Sequence, residues 1–318
     1  MKTNHALRGL IPGPLLRALF TPLLAVAASF TAPAAARAAL MYVSSGSQSV
    51  LQVSSGGVVS PFATLSAGSS PWGLTVDSGG NIFVSEPTTS LIREITPGGT
   101  VSTFAALPGG SNPLGITVDG SGNLYVAHNG SPTNRTIDKI TVGGAISTYA
   151  TMASSFNPYN VAFDSSGNLY AGGNNNGANL QIVKIAPGGA VSDFKSSLGG
   201  APNGLAFDSS GNLYTSYGTN TITKITPGGV VSTFATLPAG SAALGLAFDS
   251  FGFLYSANQT ANTISKISAD GLSVTTFASG ISNPRYIAFA PVPEPGTALF
   301  GLACLGVAVM HRRRAADR

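Results

Sequence analysis

The chain has 318 residues, with 16 Lys and Arg against 12 Asp and Glu, and only 9% of its residues are charged. That charge content is low for a cytosolic surface, and the single cysteine, Cys304, excludes an internal disulfide. The positive excess sits at the two ends: residues 39–295 hold 8 basic against 11 acidic side chains, which removes the basic face that nucleic-acid binding needs.

The first 38 residues read as a signal peptide. Lys2, Arg8 and Arg17 precede an apolar run from Ala18 to Phe30, and Ala36-Arg37-Ala38 fits an A-x-A cleavage site. Cleavage is expected after Ala38, with Ala34 as the alternative. A retained membrane anchor is the competing reading, and Pro22, Pro33 and the alanine-rich end of the segment argue against it.

Residues 39–291 repeat themselves. Five segments align on Asp77, Asp119, Asp164, Asp208 and Asp249, each of the form Gly/Asn-Leu/Ile/Val-x-Val/Phe-Asp-x-x-Gly-x-Leu/Ile-Tyr/Phe. The steps between these aspartates are 42, 45, 44 and 41 residues, the length of one four-stranded propeller blade. In each unit a short apolar strand runs into an Asp-x-x-Gly turn, and a second strand of the Leu-Tyr-Val kind follows. A third strand and a turn such as Pro97-Gly98-Gly99 lead to a fourth, Val-Ser-Thr-Phe-like strand. Helical periodicity is missing from this whole stretch, so it is all-β.

The ends of the repeat region complement each other. Leu40–Ser45 matches a second strand that lacks a first, and Pro284–Ala290 matches a first strand that lacks a second. Joined, they make a sixth blade. The expected fold is a six-bladed β-propeller closed by pairing of its N- and C-terminal strands, which removes exposed sheet edges. The units resemble NHL repeats over nearly all of 40–290. They are also similar to blades of virginiamycin B-type lyases and of SMP-30/gluconolactonase-type lactonases. The first resemblance implies ligand binding on one face; the others imply enzymes, so the fold leaves function open.

Candidate site residues come from blade geometry. The residue after the opening Pro and the residue ending strand two lie at the same end of a blade, and these positions vary where the rest of the repeat does not. They put Trp72, Tyr159, Asn203, Arg285, Tyr217 and Asn258 forward as a ligand-binding rim. Glu86 and His128 are the weak catalytic candidates on it. His128 is the one histidine of residues 39–291, and a lone His lacks the positioned partner that acid–base chemistry requires. The aspartate row offers one carboxylate per loop, as a turn cap does, whereas a calcium loop needs several oxygens. Neither a metal nor a cofactor is expected.

The tail, residues 292–318, has three parts in order: Val292-Pro293-Glu294-Pro295, an apolar stretch from Thr297 to Met310, and a basic cluster of Arg312, Arg313 and Arg314. This order resembles the PEP-CTERM sorting signal. The resemblance implies an exported protein, held in the inner membrane by the tail, processed by an exosortase and delivered to the cell surface or extracellular matrix. The arginines would stay cytoplasmic. A plain C-terminal anchor is the competing reading. The sequence therefore favours an exported, non-catalytic binding or scaffold module for a polysaccharide, protein or peptide, with signal peptidase and exosortase as processing partners. The alternative is an enzyme of the lyase or gluconolactonase type.

Overall fold

A computed structural model describes residues 40–130, 135–175 and 179–291. The expected signal peptide of residues 1–38 and the tail of residues 292–318 lie outside the described residues.

Every element among the described residues is a β-strand. Strands β1 (Met41–Ser45), β2 (Ser49–Val53) and β3 (Val59–Thr64) begin blade 1. Blade 2 is β4 (Leu74–Val76), β5 (Ile82–Glu86), β6 (Leu91–Ile95) and β7 (Val101–Ala106). Blade 3 is β8 (Pro113–Val118), β9 (Leu124–His128), β10 (Thr136–Ile140) and β11 (Ile146–Thr151). Blade 4 is β12 (Phe156–Phe163), β13 (Leu169–Asn175), β14 (Asn179–Ile185) and β15 (Val191–Lys195). Blade 5 is β16 (Gly204–Phe207), β17 (Leu213–Ser216), β18 (Thr221–Ile225) and β19 (Val231–Thr236). Blade 6 is β20 (Ala243–Phe248), β21 (Leu254–Asn258), β22 (Thr263–Ile267) and β23 (Val274–Ser279). The last strand, β24 (Pro284–Phe289), returns to pair with β1 and completes blade 1 in the order β24-β1-β2-β3. The closing pair is antiparallel, with Met41 opposite Phe289 and Val43 opposite Ile287. The six-bladed architecture and its closure are as the repeat spacing requires.

The turns follow the chemistry of their residues. In blade 2 the Asp77 carboxylate accepts from the Asn81 backbone N–H at 2.8 Å and from the Asn81 amide at 2.9 Å. Gly80 between them sits at φ +83°, the left-handed region where a side chain is strained. Asp119, Asp164 and Asp208 repeat this arrangement with Asn123, Asn168 and Asn212. Blade 6 has Phe253 in the amide's place, so Asp249 keeps only the backbone part.

The core is six separate apolar clusters, one at each blade-to-blade interface. An aromatic wedge recurs in four of them. Tyr125 of β9 lies edge-on to Tyr149 of its own blade at 4.8 Å and to Phe163 of the next at 5.0 Å. Tyr170, Tyr214 and Tyr255 repeat the wedge with Phe207, Phe248 and Phe289 of the following blades. Such pairs contribute about 1 kcal/mol each beyond burial. Lys139, Lys184, Lys224 and Lys266 lie 5.5–5.7 Å from the centroids of the same four rings. Burial, with the Asp119 carboxylate nearby, pushes the Tyr125 hydroxyl up to about 12.

Removing β24 should open the ring. A chain ending at Asn283 loses the β24 ladder together with buried Tyr286 and Ile287. We expect a loss of at least about 4 kcal/mol, or about 10 °C in melting temperature for this size, compared with a chain ending at Ala290. Equal melting of the two truncations would show that closure contributes nothing.

Candidate functional site

The six inner strands β4, β8, β12, β16, β20 and β24 surround the axis in that order. Their close approach depends on one repeat position. Gly73, Gly115, Gly204 and Gly245 occupy it in blades 2, 3, 5 and 6. A Cβ on Gly115 would lie 2.5 Å from the Asn160 Cα, and one on Gly245 would lie 2.6 Å from the Arg285 carbonyl oxygen. Blades 1 and 4, opposite each other in the ring, carry Tyr286 and Asn160 instead. Tyr286 is 7% exposed, and its hydroxyl donates to the Asn203 carbonyl oxygen of blade 5 at 2.5 Å. It spans the axis and floors one mouth of the ring. Burial drives its hydroxyl far above the usual tyrosine range. Leu74, Thr117, Leu205, Leu246 and Phe248 line a channel of about 310 Å³ to which Tyr286 also contributes.

Serine hydroxyls tether neighbouring blades around this mouth. Ser44 donates to the Trp72 carbonyl at 2.6 Å, Ser85 donates to that of Leu114 at 2.5 Å, and Ser216 bonds that of Leu244. Each serine lies on strand two of one blade and its acceptor at the inner strand of the next. The bonds therefore fix the heights of the very residues that follow the opening Pro position.

Trp72, Tyr159, Asn203 and Arg285 stand at the same end of their blades, and two of them, Trp72 and Arg285, are in contact. The Arg285 guanidinium lies 4.5 Å from the Trp72 ring centroid, and its Nη1 donates to Ser70 Oγ at 2.9 Å and to the Pro71 carbonyl at 3.0 Å. Blades 4 and 5, across the ring, carry Tyr159 and Asn203. Tyr159 is bonded through its hydroxyl to the Asn174 amide, and Asn157 Nδ2 donates to Asn174 Oδ1 at 3.0 Å. All four are partly exposed. Leu114 and Leu244, from the two remaining blades, are buried.

In blade 4, β12 and β13 extend their ladder to Phe156 opposite Asn175, through a Gly- and Asn-rich stretch that reads as irregular in the sequence. Blade 4 is therefore taller on the mouth side, and the extension carries Asn157, Asn174 and Asn175. The sequence hid it because Gly and Asn are turn formers that here are held by strand pairing.

The other rim candidates do not face the mouth. Glu86, His128 and Asn258 are buried at 0%, 2% and 1% exposure. Each ends strand two and turns across its own blade toward strand three. Glu86 Oε2 accepts from Arg93 Nε at 3.1 Å and from Thr89 Oγ1 at 2.8 Å. Asn258 Nδ2 donates to Thr263 Oγ1 at 3.0 Å and to Ser265 Oγ at 2.8 Å. His128 Nε2 approaches Asp138 Oδ2 at 3.3 Å, but off the axis of a directed hydrogen bond. Burial raises the Asp138 carboxyl, yet the His128 ring beside it holds the group below its usual value. Tyr217 lies in a groove between blades 4 and 5 of about 650 Å³, lined also by Lys195, Leu198, Asn220 and Thr223. In this row Glu86 and Asn258 thus make in-blade polar partnerships, while Tyr217 faces the groove between blades. Glu86 and His128, in different blades, form no joint constellation, and among the described residues no three His, Cys, Asp or Glu side chains converge as a metal would require. Tyr286 and Asn160 are site residues that the rim pattern missed; their standing where four repeats have glycine was the available signal.

Residues 291–315 match the PEP-CTERM protein-sorting motif. That motif marks an exported protein that exosortase sorts to the cell surface. No curated protein sequence matches the chain. Among solved structures, the chain is similar to virginiamycin B lyase from Staphylococcus aureus at 23% identity, with 70% of this chain and 75% of that one covered and a TM-score of 0.55. It is similar to a chain of a nidogen/laminin complex at 17% identity, covering 80% and 98%, with a TM-score of 0.68. A gluconolactonase from Xanthomonas campestris aligns at 16% identity, covering 79% and 84%, with a TM-score of 0.61. These likenesses establish the propeller fold, which binding proteins and enzymes share.

The buried pair in blade 2 makes a direct prediction. Arg93→Ala strips the partner from a fully buried carboxylate and should cost about 3 kcal/mol or more, read as lowered thermal stability. Replacing both residues at once by apolar groups of similar volume should cost less than the single change. A single variant as stable as the parent would refute the structural role of Glu86.

Proposed function

We propose that this protein is an exported surface binding module that holds a polysaccharide, protein or peptide ligand at the axial mouth. The observation that supports this reading is the Arg285 guanidinium stacked on Trp72 at the end of the ring where Tyr159 and Asn203 also stand, with Tyr286 bonded to the Asn203 carbonyl beneath. Aromatic faces beside convergent amides and a cation are what a recognition site needs. A rigid ring supports them at little conformational cost on binding. Glu86 and His128, by contrast, are withdrawn into separate blades, which argues against their use as an acid–base pair.

Export would proceed by signal-peptidase cleavage after Ala38. The apolar tail segment would then hold the protein in the inner membrane until exosortase processing directed by the Val292–Pro295 motif. The shared fold with lyases and lactonases supports a second, catalytic reading, in which the same mouth would take a cyclic or lactone substrate.

Changing Pro293, Glu294 and Pro295 together to alanine should leave the unprocessed protein in the membrane fraction. Normal processing of that variant would reduce the tail to a simple anchor. On glycan and peptide arrays, a Tyr159→Ala/Asn203→Ala variant should lose at least about tenfold in retention, near 1.4 kcal/mol, while melting close to the parent. Turnover of lactones or cyclic depsipeptides by the parent protein would replace the binding reading with the catalytic one.

A further inference from the structure

The Arg285 guanidinium is unusual among the charged groups of this chain. Among the described residues the ion pairs are Glu86 with Arg93 and His128 with Asp138; Arg285 has no carboxylate partner. It is partly buried, and burial lowers its affinity for its proton. Nη1 is committed to Ser70 Oγ and the Pro71 carbonyl. Nε is buried without a hydrogen-bond partner, and Nη2, on the same edge of the fork, has none among the described residues. The Trp72 ring braces one face of the plane. A braced, partly desolvated guanidinium with one unused donor edge is a carboxylate receptor short of its carboxylate.

Resting on the axial-mouth reading above, we infer that the mouth takes an acidic saccharide whose ring carboxylate is held by Arg285. Three observations select this class of anion. Residues 39–295 carry 8 basic against 11 acidic side chains, so no basic field extends from the mouth to hold a densely charged polymer such as a nucleic acid. Across the ring, blades 4 and 5 supply the Tyr159 hydroxyl and the amides of Asn157, Asn174 and Asn203, which both donate and accept, as clustered sugar hydroxyls demand. The apolar residues at the same level, Leu114 and Leu244, are 6% exposed each, so the mouth has no open apolar pocket for peptide side chains. One cation facing several neutral polar groups fits one carboxylate on a ring rich in hydroxyls.

Trp72 is the only tryptophan in the chain, so intrinsic fluorescence of the full protein reads this mouth directly. The probes are tetragalacturonate, its full methyl ester, and a tetra-aspartate peptide. We expect tetragalacturonate to change the Trp72 emission saturably, with the ester binding at least about tenfold more weakly. Arg285→Gln should lose at least the same factor, Arg285→Lys less, and added salt should weaken only the acid form. Equal binding of acid and ester overturns the inference but leaves the mouth as a glycan site. Binding of tetra-aspartate in preference to tetragalacturonate overturns the saccharide class in favour of an acidic peptide. No change in emission up to about 10 mM tetragalacturonate, a free energy of about 3 kcal/mol, overturns it outright, whereas the array result tests the mouth itself. The acid-against-ester comparison on the parent protein stands even if Arg285→Gln fails to fold.

Discussion

The pairing of β24 with β1 is the constraint on which the rest of the molecule depends. It joins residues some 240 positions apart in the chain, as in the bond between the Tyr286 backbone N–H and the Ser44 hydroxyl. Without it the ring has two free edges and blade 1 has no inner strand. The same strand supplies Arg285 and Tyr286, and the next blade supplies Trp72. Closure and site construction are therefore one event: the mouth has its cation and its floor only once the chain ends have met.

Between closure points, stability is shared over nearest-neighbour interfaces, as in other repeat proteins. The interface is built at three heights. Aromatic wedges close it beside the aspartate turns, aliphatic side chains fill its middle, and serine hydroxyls bond the next blade's carbonyls near the mouth. Glycine at Gly73, Gly115, Gly204 and Gly245 then lets the inner strands crowd the axis. Where glycine gives way to Tyr286 and Asn160, the axis is filled by side chains, and the symmetry of the repeat is broken where a ligand would sit.

That departure separates two kinds of variation among the repeats. Substitutions at the end of strand two change partners inside one blade: Glu86 with Arg93, Asn258 with Ser265. Their partners are local, although Glu86 Oε1 and both His128 ring nitrogens remain buried without a hydrogen bond. Substitutions at and just after the opening Pro position stand at one end of several blades, where Arg285 packs on Trp72. The asymmetry is concentrated in blades 1 and 2 facing blades 4 and 5, with buried leucines between.

The sequence alone determined the blade count, the order of the strands, the turn caps and the joining of the chain ends. Each of these is written in short-range chemistry repeated at a fixed period: Asp-x-x-Gly-Asn sets a turn whatever surrounds it, and an unmatched half-unit at each end demands its complement. It also placed Trp72, Tyr159, Asn203 and Arg285 at one level of the ring. The direction in which side chains point was decided by the tertiary structure. Both faces of a second strand are covered by neighbouring blades, so an apolar or polar pattern there carries no record of which face meets solvent. Glu86, His128 and Asn258 thus share a height with the mouth residues and yet are sealed inside blades. The floor made by Tyr286, the taller wall of blade 4 and the unpaired edge of Arg285 likewise arise from contacts between blades distant in sequence, which no local pattern encodes.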